Sequence, residues 1–188
     1  LVVERMSSPG RKLLATGGGR CNLTHDSSPE EMIRSFGRNA RFTAPAIYHF
    51  PPAQIRAFFA ERGVPTVVQP DGCVFPASQR ATDVLQALLD MAKANGAQIQ
   101  RSVTVERFIV EPFDATSSRI TKVISSSGEI YPHRVILAAG GMSYPALGSD
   151  GSGFQLLRQA GLTVVAPLPA LAGLKTVESW PAELSGIV

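Results

Sequence analysis

The sequence predicts an α/β layer fold carrying a small antiparallel meander, and three features point there. Strand-like apolar runs alternate with amphipathic helical stretches. Two of the runs, Leu1-Val2-Val3-Glu4 and Val135-Ile136-Leu137-Ala138, are continuously apolar up to their last residue, as buried parallel strands are. Glycines follow the second run directly, at the carboxyl end where open α/β sheets hold their ligands. A length of 188 residues suits one domain with a real core. With 44% apolar and 18% charged residues and a mean hydropathy of +0.09, the composition excludes disordered, collagen-like and coiled-coil classes. No apolar window approaches about 18 residues and no signal-peptide pattern opens the chain, so a cytoplasmic protein without a membrane span is expected. Cys21 and Cys73 are the only cysteines, too few for a disulfide framework or a structural zinc site.

Each element has its own signal. Leu1 to Glu4 reads as a parallel strand with an acid at its end. Ser28-Pro29-Glu30-Glu31 supplies a cap, a first-turn proline and acids at the positive end of the dipole, predicting a helix to about Phe36. A second helix is expected over Pro52 to Arg62, stopped by Gly63. Thr66 to Gln69 and Cys73 to Phe75 flank Pro70-Asp71-Gly72, a turn joining two short strands. From Ala81 to Asn95, the residues Val84, Leu85, Leu88, Leu89 and Ala92 fall on one helical face, and Gly96 gives the stop. Gln98 to Arg101 reads as a strand. Val103 to Val110, Ile120 to Ser126 and Glu129 to Arg134 read as three antiparallel strands feeding the run at 135–138. Phe154 to Gly161 reads as a short helix.

Both ends enter apolar runs, and Pro167 to Pro181 is rich in proline, so the sequence reads as an internal fragment: residues 1–168 as a partial ligand-binding domain, 169–188 as a connector. Leu1 to Glu4 is then expected beside an absent strand, and the isolated chain is expected to express poorly or hold its ligand weakly.

The net charge of +3 is too small to mark a nucleic-acid binder, but all of it falls in residues 1 to 41, so that end expects an anion. There Gly10-Arg11-Lys12-Leu13-Leu14-Ala15-Thr16-Gly17-Gly18-Gly19-Arg20-Cys21-Asn22 unites three consecutive glycines with Arg11, Lys12 and Arg20, a cradle for phosphate or an electron-rich ring. No Gly-Lys-Ser/Thr closes it and no helix pattern starts there, so it is not a P-loop. Ala139-Gly140-Gly141 leaves room for a dinucleotide to cross the backbone. Gly148-Ser149-Asp150-Gly151-Ser152-Gly153 precedes the last helix, whose free N–H groups would face an anion. Glu4 is placed to accept hydrogen bonds from the two hydroxyls of an adenosine ribose.

The string from Arg11 to Thr24 closely resembles the GRKLLxSGGGRCNxT hallmark of the BaiN/YhiN-type flavoproteins, also called aminoacetone oxidase-like FAD-binding enzymes. Asp71 to Ser78 resembles that family's GRVFPxS segment, Val135 to Ser143 and Gly148 to Gly153 its ATGG and glycine-turn motifs, and Pro169-Ala170-Leu171 its entry to a second domain. The resemblance implies a Rossmann-like FAD/NAD(P)-binding domain of the glutathione-reductase type, with a strand and a GxGxxG turn before Leu1 and an inserted β-barrel after the last residue. It implies that Glu4 holds the adenosine ribose and that Arg11 and Lys12 lie along the cofactor. By the same likeness Gly17, Gly18, Gly19, Arg20, Cys21 and Asn22 border the flavin, and Val105 meets the adenine through its backbone. Ala139, Gly140, Gly141, Gly151 and Gly153 then carry the pyrophosphate and ribitol, with Asp150 in place of a displaced acid. Cys73 stands where that family has Arg, His25 where Asn is common, Ser152 where Asp is common and Leu162 where His is common.

The activity implied is a flavoprotein oxidoreductase that binds FAD, takes electrons from NAD(P)H and acts on a small molecule, with no nucleic-acid partner and no membrane. Two alternatives stand beside it: a non-catalytic dinucleotide-binding module and an FAD-dependent tRNA-modifying enzyme. Cys21 fits a flavin-contacting thiol or a packed structural one, and no second cysteine stands near it in sequence. His25, His49 and His133 lack an acid partner in the sequence and read as satisfied or solvent-facing; Trp180 reads as packing. No general acid, general base or metal ligand is assigned.

Overall fold

In the computed structural model the described residues are 1–168 and 177–180; the connector expected at 169–188, with Pro169-Ala170-Leu171, lies outside them except for 177–180. The order is β1 (Val2–Val3), α1 (Arg11–Ala15), β2 (Thr24–His25), α2 (Pro29–Ser35), α3 (Ala40–His49), α4 (Pro52–Ala60), β3 (Thr66–Val68), β4 (Cys73–Pro76), α5 (Ala81–Ala94), β5 (Ile99–Gln100), β6 (Val105–Pro112), β7 (Ser118–Ser125), β8 (Gly128–Ile130) and α6 (Ser152–Gln159). The fold is mixed α/β with small sheets. β1 and β5 pair in parallel, β2-β4-β3 is antiparallel, and β6-β7-β8 is the expected meander.

Local chemistry explains the elements that the sequence announced. At α2 the Glu31 N–H donates to Ser28 Oγ at 3.2 Å while the Ser28 N–H donates to Glu31 Oε2 at 2.8 Å, a reciprocal cap behind Pro29. In the turn between β3 and β4, Gly72 has φ +83°, and a Cβ there would stand 2.3 Å from His25 Nε2, so glycine is demanded by both backbone and neighbour. α5 buries Ala81, Val84 and Ala87 on one face.

Two apolar clusters form. The first joins Cys21, Phe59, Val64, Ala81, Val84 and Ala87, with Leu13, Leu14, Ile55 and Leu88 against it, and so unites α1, α4 and α5. The second joins Phe108, Val123 and Leu156, setting α6 on the meander.

Three expectations are corrected, and one helix has no counterpart among them. The run at 135–138 is no ladder strand: no described strand pairs with it, although Val135 and Leu137 pack on the second cluster while Ile136 is 92% exposed. Alternate burial of Val135 and Leu137 is what the run keeps of a strand, without a ladder partner among the described residues. The segment after Gly10 does form a helix, α1, because packing half-buried Leu13 and Leu14 on the first cluster outweighs the missing cap. α3 has no counterpart in the sequence reading, since Pro45 in its interior forfeits a hydrogen-bond donor. Trp180, expected to pack, is 57% exposed.

Candidate functional site

The carboxyl end of β1 and the start of α1 face the segment from Ala139 to Ser149 across a cleft of about 1080 Å3, whose far wall is the meander. The cleft has two characters. Val2, Val3, Phe108, Val123, Val135 and Leu137 make part of the lining apolar, whereas Glu4, Arg5, Arg11, Lys12, Gly140 and Ser149 make another part polar and net positive.

Parallel pairing brings β1 to Glu4, whose N–H donates to the Gln100 carbonyl at 2.8 Å; the Met6 N–H donates to Glu4 Oε1 at 2.7 Å and fixes the carboxylate beside the strand end. Gly10, at φ +74°, starts α1 close to α5, for a Cβ there would stand 2.5 Å from Leu85 Cδ1. That approach aims Lys12 across the cleft. Its Nζ donates to Ser143 Oγ at 3.2 Å and to Ser149 Oγ at 3.3 Å. Ser149 is buried, and a Cβ on Gly140 would come within 3.0 Å of its hydroxyl oxygen.

A second cation crosses the same gap. Arg5 pairs with Asp150 at 2.5 Å through Nη1 and donates to the Gly148 carbonyl at 2.9 Å through Nη2. Arg5, together with the Ser152 N–H, holds the Asp150 carboxyl well below the usual carboxylate range.

Of the residues singled out by sequence, Glu4, Arg11, Lys12, Val105, Ala139 and Gly140 line this cleft. Gly141, Asp150, Gly151 and Gly153 stand behind its wall: the Gly151 N–H donates to the Gly141 carbonyl at 3.1 Å, and a Cβ on Gly153 would lie 3.1 Å from that of Ala139. Gly17, Gly18, Gly19, Arg20, Cys21 and Asn22 are not part of its lining. The triple glycine coils with φ of +55°, +64° and +86° onto the β3–β4 hairpin, where a Cβ on Gly17 would meet Phe75 Cε1 at 2.8 Å. Arg20 lies over the Phe75 ring at 4.3 Å. Cys21 is a core residue at 5% exposure, and burial pushes its thiol up.

Arg5, Ser143 and Ser149 went unnoticed in the sequence because their partners lie more than a hundred positions away. The one available signal was the cation directly after Glu4. His25 holds the Asp71 carbonyl at 2.9 Å through Nε2, in keeping with a satisfied histidine. No described helix is long and apolar enough to cross a membrane.

The model of the HI0933-like protein Rossmann domain matches residues 1–184. The chain belongs to that family. It is the group of BaiN/YhiN-type FAD-dependent oxidoreductases that the motifs resemble. A 3-dehydro-bile acid delta(4,6)-reductase of Clostridium scindens is 33% identical over 99% of this chain and 43% of its own length. A ribosomal RNA dihydrouridine synthase of Haemophilus influenzae is 26% identical over 99% of this chain and 46% of its own. The chain thus spans less than half the length of these relatives. Among solved structures, Thermovibrio ammonificans THI4 superposes with a TM-score of 0.50 at 14% identity, covering 86% of this chain and 53% of THI4, which is a likeness of fold.

Proposed function

We propose that this chain contributes the FAD-binding part of a reductase that takes electrons from NAD(P)H and adds them across a carbon–carbon double bond conjugated to a carbonyl group. The observation that carries the reading is the convergence of Glu4, Lys12 and Gly140 on one cleft large enough for a dinucleotide. The residues present fit that cofactor. Glu4 offers a carboxylate to paired ribose hydroxyls, Lys12, Arg11 and Arg5 supply positive charge for a pyrophosphate, and Gly140 lets an extended ligand pass close to the backbone. Bound FAD supplies a two-electron carrier, and the protein's part is to hold and orient it. Ser143 and Ser149 keep Lys12 at the cleft mouth, and Arg5 ties the turn at Gly148 to the strand that carries Glu4. The acceptor class draws on the relatives: a delta(4,6)-reductase and a dihydrouridine synthase both carry names for saturating a carbon–carbon double bond.

The test is titration with FAD, then anaerobic addition of NADH or NADPH while the visible flavin band is followed. Expected are FAD binding, bleaching by a nicotinamide donor and recovery of colour with an enone such as a 4-ene-3-ketosteroid. Lys12→Ala removes a charge-assisted contact and should weaken FAD binding about tenfold or more, with Glu4→Ala acting similarly. FAD affinity untouched by both substitutions would remove the cleft from the proposal.

A further inference from the structure

The chain from Glu31 to Glu61 encloses a long stretch without any acidic side chain, and that stretch holds Arg34, Arg38, Arg41, His49 and Arg56. Arg56 is committed to Asp26 at 2.8 Å. Arg38 and Arg41 make no hydrogen bond or ion pair among the described residues. Arg34, Arg38 and Arg41 lie on the α2–α3 hairpin with its linking turn, which buries none of its residues.

Its two sides differ in kind. Ala40, Thr43, Ala44 and Ile47, half-buried at helical spacing, form the inner face of α3, opposed by half-buried Met32 and Ile33 of α2. The outer face runs Arg38, Arg41, Phe42, Pro45, Tyr48 and His49, spaced by three or four residues and exposed throughout. Phe42 is 88% and Tyr48 56% exposed, large planar rings standing in solvent beside unpaired guanidinium groups.

This arrangement selects among partners. A helix that lies on a membrane separates cations from its apolar side, so that the rings sink while the charges stay out. Here cations and rings share one face. That interleaving suits single-stranded nucleic acid, whose phosphates pair with arginine and whose bases stack on aromatic rings. From Arg38 to His49 the face is about 16 Å long, enough for a few nucleotides.

We propose that the outer face of the α2–α3 hairpin binds single-stranded RNA, Arg38 and Arg41 taking phosphates and Phe42 and Tyr48 stacking on bases. The choice of RNA over DNA rests on the proposed reduction, which admits a uracil ring as acceptor; the binding face itself does not depend on flavin chemistry. Nor does the low net charge of the chain oppose it, since no acidic side chain lies between Glu31 and Glu61 and the outer face of α3 carries cations alone.

The test is fluorescence anisotropy of a labelled uridine-rich RNA 16-mer with the full chain, over a series of salt concentrations. A DNA oligonucleotide of matching sequence and anionic phosphatidylserine vesicles serve as the other arms. Binding that weakens with salt is expected, strongest for RNA. Arg38→Glu with Arg41→Glu should abolish it at moderate salt. Arg38→Ala with Arg41→Ala should flatten the log–log salt slope by about 1.4, the share of two phosphate contacts on a single strand. Phe42→Ala should weaken binding roughly five- to hundredfold with little change in that slope, the signature of a lost stack. All these side chains are exposed, so circular dichroism should be unchanged. Loss of Arg101 and Arg107, exposed cations elsewhere, should matter little.

The proposal is overturned if RNA fails to bind, if the hairpin double substitutions leave RNA affinity intact, if DNA binds as well as RNA, or if vesicles bind and RNA does not compete. It is also overturned if Phe42→Ala changes only the oligomeric state, which would make the face a contact between copies. Flavin bleaching is read separately, so failure here leaves the reductase proposal standing, and failure there leaves the RNA face standing without its argument for RNA over DNA.

Discussion

Asp150 shows what a single side chain does in this cleft. Arg5 and the Ser152 N–H both favour its charged form, so its folded-state pKa lies below the unfolded value of about 3.9. The native state therefore binds fewer protons than the unfolded chain in that interval, and stability rises with pH there. The contribution is complete above about pH 4 and disappears as the pH falls below it. Because Arg5 and Asp150 are each about a third exposed, at 31% and 35%, solvent screens the pair and the effect is modest. Asp150→Asn should give a shallower loss of stability below about pH 4 than the unmodified chain, measured by urea melts across an acid series. Equal acid slopes would show that the pair does not couple to folding. None of this was legible locally: the sequence marks Glu4 by its place after an apolar run, but nothing near Arg5 names Asp150 as its partner.

At the scale of elements, legibility followed local signal. α2 carries its own capping box, α5 its own apolar face and stop, and the meander its alternation, so all three stand where the residues put them. α1 and α3 exist because of packing that the sequence does not display, and the run at 135–138 has strand composition without a described strand to pair with. The triple glycine was legible as a backbone device but not as to which neighbour it served; Phe75, not the cleft, is what a side chain at Gly17 would strike. The amphipathic α5 provides a direct check. Val84 is fully buried between α1 and α4, and Val84→Ala should cost about 2 kcal/mol in chemical denaturation through lost burial and the cavity left behind. Leu89→Ala, at a half-buried position outside that cluster, should cost clearly less. Gly10→Ala should be costly for a different reason, placing a Cβ in left-handed backbone against Leu85.

Among the described residues two apolar clusters form that share no side chain, and the cleft lies between them. Among the described residues the side-chain ties across the cleft are Arg5 to Asp150 and Gly148 and Lys12 to Ser143 and Ser149. Polar ties of this kind, exposed or only part-buried, couple two bodies weakly, since each contributes about 1 kcal/mol. The chain should then unfold in two calorimetric transitions rather than one, against the habit of small single domains. Val84→Ala should lower one transition, and Leu156→Ala, which empties the contact of α6 on the meander, should lower the other. A ligand gripping both sides changes the balance, because it is lost when either body opens and so stabilises both by mass action. Saturating FAD should therefore raise the two transitions together and draw them towards one, and Lys12→Ala should blunt that merging. A single transition without ligand, lowered alike by Val84→Ala and Leu156→Ala, would mean that the clusters are already coupled through contacts other than the four named ties and that the cleft is a rigid feature of the fold.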